Sequence, residues 1–370
     1  MSTTDRAHPG TRPGNGTTEP KEADAMAQPT EPVTTETATE TAVVHRSRPS
    51  AHSLLGFAER YALLGLVIAI FVVFAVMPST SSTFTSMNNI ATVLRGQTAV
   101  GMIAIAAVFP LVTGNIDFSL GATSSASMVL SAGMMANHNI PWVPCAIASL
   151  VFGAIVGTFN GVMVTRFKLD AFVTTLGVAT LLGGLITWYT GGQTIYNNIS
   201  TTLTDFSYAK ILGIPEVTVM VIVIAAIAWY LLSHTPFGRS LYAIGSNPTS
   251  ARLVGLPVQR NVMLTFVISG TVAGAAGLLR LAVVGSGQSD NGTSLLFPAL
   301  AAVFLGATAF RPGFFNILGT MVGVLLVAFS VSGLTQAGVN SAVQDVFNGA
   351  ALLVAVGFST YLGVKRRSRG

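Results

Sequence analysis

Three polar stretches interrupt a long oily sequence, and each holds side chains that can do chemistry. TGNIDFSLGA, residues 113–122, sets Asn115, Asp117 and Ser119 among apolar neighbours. GLLRLAVVGSGQSDNGTS, residues 277–294, places Arg280 ahead of Gln288, Asp290 and Asn291. TPFGRSLYAIGSNPTSARLVGLP, residues 235–257, carries Arg239 and Arg252, with Arg260 just beyond it. Carboxylates, guanidiniums and amides can hold a solute by its hydroxyls, whereas covalent catalysis needs a nucleophile beside a base. No His/Asp/Glu or Ser/Lys pair stands at catalytic helical spacing, and His8, His45, His52, His138 and His234 form no ligand cluster. Cys145 is the only cysteine, which excludes a disulfide within the chain and a cysteine-built metal site. With no P-loop or zinc signature either, the sequence reads as a non-enzyme with no cofactor of its own.

Each stretch has a plain structural reading beside the functional one. Asp117 either caps the helix that follows, satisfying free N–H groups together with Ser119, or lines a polar path; the two roles are compatible and capping is the simpler. An unpaired charge inside a span costs about 2.5–3.5 kcal/mol on insertion scales, so Asp117 must face protein or a cavity. Arg280 either snorkels to the membrane interface, the simpler reading, or faces the path and binds solute hydroxyls with Gln288. In the third stretch Asn247 is an N-cap, Pro248 a first-turn residue whose missing N–H costs nothing, and Gly255 a left-handed terminator. The helix they bound has only about seven or eight residues, too few to stand alone in water. Either it is an ordinary loop turn, or its apolar residues Leu241, Tyr242, Ile244, Leu253, Val254 and Leu256 enter a groove on a partner; the care of the capping favours the partner. Gly153/Gly157 and Gly319/Gly323 have the spacing that lets helices approach closely.

The elements that must position these residues are membrane helices. The chain has 370 residues, of which 51% are hydrophobic and 9% charged, and its mean hydropathy is +0.65. A soluble domain is about a quarter charged. Runs of roughly 20 apolar residues predict ten spans, near 60–77, 98–112, 118–136, 143–164, 171–190, 211–232, 261–284, 295–309, 314–334 and 342–361. The second, third and eighth are short or broken at Pro110, Gly114 and Pro298, which is tolerated only where protein or water receives the freed backbone groups. Residues 1–53 are rich in Thr, Pro and Glu and read as a disordered cytoplasmic tail without a signal sequence, 54–364 as the membrane domain, and 365–370 as a basic cytoplasmic end. Ten of the thirteen Lys and Arg beyond residue 60 fall on the cytoplasmic side if both termini are inside. That bias accounts for the basic pI of 9.6 without a nucleic-acid partner. A weak internal echo joins AAVFPLVTGNIDFSLGA from 106 to AAVFLGATAFRPGFFNILGT from 301, as in transporters with duplicated halves.

TGNIDFSLG and TPFGRSLYAIGSNPTSARLVGLPV resemble two segments of the permeases of ribose-type sugar ABC importers, the second being their cytoplasmic loop. NNIATVLRGQ, LDAFVTTLG, GSGQSDNG, ALAAVFLGAT and NILGTMVGVLL follow in the same order, so the resemblance spans about residues 55–362. It implies an all-α ABC importer permease in the bacterial inner membrane among its lipids. It also implies a second permease subunit, identical or not, an extracytoplasmic solute-binding protein and a cytoplasmic double-cassette ATPase that holds ATP and Mg. By this resemblance the capped helix is the coupling helix that seats in the ATPase, with Arg239, Asn247, Pro248, Arg252 and Gly255 as its residues, while Asn115, Asp117, Arg280 and Gln288 are candidates for the solute path. The sequence departs from the family at Asn115, where glycine is usual. It departs again at Phe297–Pro298, where an acidic residue is common, and at Arg311-Pro312-Gly313, where a glycine pair is usual. These departures lie around the path and a cytoplasmic turn and bear on which solute is carried. The expected function is import of a pentose, hexose, polyol or similar solute. The alternatives are a nucleoside, amino-acid or furanosyl-signal permease, or an ion-coupled carrier, for which broken spans and Asp117 speak but the capped helix does not.

Overall fold

A computed structural model describes residues 51–290 and 292–340 and isolated positions between 342 and 357, with side chains from Tyr61 onward. The tail to residue 50, most of the tenth expected span, and the basic C-terminus lie outside the described residues. The helices in chain order are α1 (Ala51–Val76), α2 (Ser81–Phe84), α3 (Met87–Gly96), α4 (Thr98–Val112), α5 (Leu120–His138), α6 (Trp142–Thr165), α7 (Ala171–Thr190) and α8 (Thr201–Tyr208). A two-residue hairpin, β1 (Lys210–Ile211) and β2 (Ile214–Pro215), leads into α9 (Glu216–His234), α10 (Pro236–Ser246), α11 (Pro248–Leu253), α12 (Val258–Val284), α13 (Thr293–Gly306) and α14 (Ile317–Gln336).

Every residue of α4 is buried, as expected for a helix that is apolar all round. Around it stand α12, α13, α14 and α9, whose inward residues make one continuous core. The outward faces of α6, α7 and α9 instead expose Ile155, Phe159, Val173, Leu181, Ile222 and Ile227, side chains that suit lipid and not water. Among the described residues five helices, α6, α7, α9, α12 and α14, are long and apolar enough to cross a membrane, making up to six spans if α3 and α4, bent by 46°, form one.

The ten-span expectation therefore goes beyond the described helices. The first and eighth expected spans are shorter apolar helices, Tyr61–Val76 and α13. The third is α5, which is long enough but too polar: Thr123, Ser124, Ser125, Ser127 and Ser131 are all buried along it. Its neighbours α6, α7, α12 and α13 shield it on several sides. The sixth expected span begins five residues late, because Leu212 and Gly213 take positive φ and fold 210–215 into the hairpin.

Helices α6 and α12 share the most extensive contact in the molecule, and glycine makes it possible. A Cβ on Gly153 would strike the Gly270 carbonyl, one on Gly157 the Phe266 carbonyl, and one on Gly274 the Ser149 carbonyl. The second expected pair behaves alike, Gly319 lying on Gly306 and Gly323 on Ala302, between α14 and α13. Replacing Gly157 by Val should cost about 1–3 kcal/mol through overpacking, read as a lower melting temperature in detergent. Gly177, on the exposed side of α7 with no neighbour to meet, should accept Ala without loss. Equal melting of the two variants would refute this account of the α6–α12 contact.

Candidate functional site

Arg280 lies on the last turns of α12 and is 9% exposed, so the snorkelling reading is corrected: its guanidinium turns inward because partners converge on it. It forms a two-pronged ion pair with Asp290, Nη2 to Oδ2 at 2.6 Å and Nη1 to Oδ1 at 3.1 Å. Nη2 also donates to Gln288 Oε1 at 2.8 Å, and Nη1 to Ser125 Oγ of α5 at 3.1 Å. Asp290 Oδ1 further accepts from the Ser125 hydroxyl at 2.7 Å and from the Gly292 N–H at 2.8 Å. Burial opposes ionisation of Asp290, but the hydrogen bonds from Arg280 and Ser125, the guanidinium charge and the Gly292 N–H outweigh it and hold the carboxyl below its ordinary value. Bidentate arginine–carboxylate pairs are strong and directional. The 285–292 connection is thereby tied to α5, and it is tied to α7 by Thr190 Oγ1 donating to Ser289 Oγ at 2.9 Å. Ile195 and Gly287 exchange backbone hydrogen bonds as well.

Asp117 lies in the break between α4 and α5, where Pro110 and Gly114, at φ 84°, end α4. Its Oδ1 accepts from the Ser119 N–H at 2.9 Å and the Ser119 hydroxyl at 2.6 Å, one position ahead of the helix. Asn160 of α6 donates to the same Ser119 hydroxyl at 2.8 Å, and the Phe118 N–H donates to Thr175 Oγ1 of α7 at 3.0 Å. Asp117 thus shapes the entry to α5 and ties it, through Ser119, to α6. Asp117 Oδ2 and Asn160 Oδ1 are buried without a partner. Asn115 stays within its own turn, donating to Thr113 Oγ1 at 3.0 Å. The four path candidates therefore fall into two groups, Asn115 and Asp117 at the α4–α5 break and Gln288 with Arg280 beside Ser125 in the N-terminal half of α5.

The third polar stretch holds two helices where one was expected. Thr235 accepts from the Gly238 N–H and caps α10, which the reading of 235–257 as loop plus a single helix missed. Asn247 Oδ1 accepts from the Thr249 and Ser250 N–H groups at 3.0 Å, Pro248 opens α11, and Gly255 has φ 83°. Four of the six residues of the apolar face assigned to a partner are used inside this chain: Leu241 and Ile244 are buried, Tyr242 packs on the core, and Leu256 packs against the cluster that holds Val262 and Phe266. Leu253, 83% exposed, and Val254, 77% exposed, remain open beside the exposed Arg239, Arg252 and Arg260. Helix α10 touches both helix breaks. Gly245 lies so close to the Val112 carbonyl that no Cβ would fit, and the Tyr242 hydroxyl donates to the Phe315 carbonyl at 2.8 Å. The two halves of the internal echo, α4–α5 and α13–α14, are built alike. Gly114 and Gly313 both sit at φ 84°, an Asx side chain precedes each second helix, and both breaks meet α10.

A cavity of about 1020 Å³ opens between α7 and the 285–292 connection. Thr180, Gly183, Gly184, Thr187 and Trp188 line it from α7, and Ser289 and Asp290 from the other side. Hydroxyls and an indole can bind and stack on a neutral polyol, and the carboxylate is already neutralised by Arg280. Sequence reading missed the α7 residues, although the signal was present: small and hydroxyl side chains recur at 180, 183, 184 and 187, one face of an otherwise oily helix.

The model of the family described as "Branched-chain amino acid transport system / permease component" matches residues 89–356. A ribose import permease of Haemophilus influenzae is 31% identical over 83% of this chain and 95% of that relative. A ribose import permease of Bacillus subtilis is 34% identical, over 79% of this chain and 90% of its own length. An autoinducer 2 import system permease of Photorhabdus laumondii is 32% identical over 70% and 78%, respectively. No solved structure gives a significant match. Oily helices with tight glycine contacts and breaks that meet at α10 are thus those of a transport subunit and not of an enzyme: the chain belongs to the branched-chain amino acid transport system / permease component family.

Proposed function

We propose that this chain is the membrane permease subunit of an ATP-driven importer of a sugar or closely related polyhydroxylated solute. The similarity to ribose import permeases over most of both chains carries the reading, and the cavity of hydroxyls and an indole on α7 supports the same solute class. The similarity to an autoinducer 2 import permease keeps a small furanosyl signal as the second reading. On either reading the partners are a cytoplasmic double-cassette ATPase, an extracytoplasmic solute-binding protein and a second permease subunit facing the α7 cavity. The full chain makes ten spans with both termini in the cytoplasm.

The contacts of α10 with both helix breaks support a coupling route through it. The exposed side of α10–α11, with Arg239, Arg252, Leu253 and Val254, meets the ATPase, while the buried side meets both helix breaks through Gly245 and Tyr242. A shift of α10 is thereby delivered to the starts of α5 and α14 together, biasing an outward–inward equilibrium. Asn247, Pro248 and Gly255 keep the short α11 rigid enough to transmit it.

Reconstitution with the ATPase and binding protein in liposomes, measuring uptake of labelled pentoses and hexoses, tests the function directly. Two sets of variants test the route. Tyr242→Phe keeps the ring and loses one hydrogen bond, about 0.5–1.5 kcal/mol. Gly255→Val strains a left-handed position by about 1–2 kcal/mol, and Arg252→Glu reverses a contact charge. All three should insert and fold, yet show reduced solute-stimulated ATP hydrolysis, with Arg252→Glu also losing co-purification of the ATPase. Normal coupling in all three would remove α10–α11 from the route. At the α4–α5 break, Asp117→Asn should keep the bond to Ser119 and part of the transport, while Asp117→Leu should lose both. A Leu variant that assembles and transports like the parent would show that Asp117 neither caps nor lines the path.

A further inference from the structure

An apolar groove of about 450 Å³ runs between α4, α9 and α14, and it does not belong to the solute cavity. Along α9 its wall is Thr218, Val221, Ile222, Ala225, Ala226 and Trp229, a single helical face. From Thr218 to Trp229 is eleven residues, or roughly 16 Å at 1.5 Å per residue. That is close to half of the roughly 30 Å hydrocarbon core of a bilayer, the depth of one leaflet. Gly101, Ala225 and Ala328 are among the residues lining the groove, and such small side chains leave space where a core helix would carry bulk.

Where α3 meets the β1–β2 hairpin, the groove adjoins a second, polar pocket of about 240 Å³. Leu94 and Ile214 line the groove, and their chain neighbours Arg95 and Pro215 line the pocket. Arg95 and Lys210 both face this pocket, and neither makes an ion pair; among the described residues the only one joins Arg280 and Asp290. Arg95 lies over the Tyr208 ring at 3.9 Å, and Lys210 Nζ reaches Asn88 Oδ1 at 3.5 Å. Three buried polar atoms at this junction have no partner: Ser207 Oγ in the pocket, and Gln97 Oε1 and Thr218 Oγ1 at the adjoining end of the groove. A fully enclosed hydroxyl or amide without a partner is costly, so such atoms mark a place where polar groups of something else belong.

We propose that this groove and pocket form a binding site for one anionic phospholipid: phosphate between Arg95 and Lys210, glycerol and ester oxygens at Ser207, Gln97 and Thr218, and an acyl chain along α9 to Trp229. Two cations without an ion pair, Arg95 and Lys210, select a phospholipid of net negative charge over a zwitterionic one. The continuous apolar groove of one leaflet's depth selects a lipid over the acidic side chain of a soluble partner, which would leave the groove unfilled. Trp229 at the far end makes an edge contact with His234.

Native mass spectrometry of the full-length chain in detergent, titrated with phosphatidylglycerol, phosphatidylcholine or glycerol 3-phosphate, tests the proposal. Wild type should retain one phosphatidylglycerol per chain in preference to phosphatidylcholine and should not retain glycerol 3-phosphate. Arg95→Gln with Lys210→Gln should weaken phosphatidylglycerol roughly 10- to 30-fold and erase the preference. Ala226→Phe fills the groove from its exposed side and should reduce binding of the long-chain lipid to the level of a six-carbon analogue. Short-chain and long-chain phosphatidylglycerol binding wild type equally would overturn the proposal without any variant. It would be overturned equally if the double variant bound phosphatidylglycerol as wild type does. It would also fall if that variant kept the lipid and lost only capture of the solute-binding protein, because the pocket would then be a contact for acidic side chains.

Discussion

Backbone lies directly on backbone where α6 crosses α12, at Gly153, Gly157, Gly270 and Gly274, and the rest of the molecule is arranged around that crossing. Lipid tails give apolar helices no reason to prefer each other, so association in a bilayer depends on close fit and on polar contacts. The crossing supplies the fit. It holds α12 as a post with two working ends: α11 enters at its N-terminal end, and Arg280 sits near its C-terminal end. Polar contacts then attach the other parts to the post. The Arg280–Asp290 pair fixes the connection beside the α7 cavity, and Ser125 brings α5 into the same clamp.

A buried ion pair of this kind is weak evidence for stability, since desolvating both charges offsets much of their attraction. Its value here is directional. Five donor–acceptor contacts among Arg280, Asp290, Gln288 and Ser125 admit one arrangement of a loop that glycine-rich sequence would leave loose. The Asp117–Ser119–Asn160 chain does the same at the α4–α5 break. Two specified loops, one mobile-looking by composition and one broken by Pro110 and Gly114, therefore flank a helix whose own sequence is mostly small residues and hydroxyls.

Local chemistry was legible in the sequence and distant pairing was not. Asn247, Pro248 and Gly255 act through backbone groups within a few residues, so their types and spacing sufficed. Gly153, Gly157, Gly319 and Gly323 announced close contacts, though not with which helix. Arg280 was misjudged although Asp290 and Gln288 lie in its own stretch, because an arginine near the end of a span reads as snorkelling and the fold that turns it inward onto Ser125, 155 residues away, is encoded in neither stretch. Leu241 and Ile244 were assigned to a partner protein because an amphipathic segment looks the same whether its apolar face meets another chain or its own core. The polar face of α7 was overlooked since threonine and glycine lower hydropathy only slightly and leave the span prediction intact.

The character of α5 constrains how the chain can be made. A segment carrying Thr123, Ser124, Ser125, Ser127 and Ser131 partitions poorly from an insertion channel into lipid by itself. Its neighbours α6 and α7 follow directly in the chain, but α12 begins only at Val258, well after α5 has left the ribosome. Helix α5 therefore gains its surroundings in stages, α6 and α7 first and α12 and α13 only later. Biogenesis of this chain is a delayed assembly step, in which the last wall around α5 is supplied by sequence translated long after it.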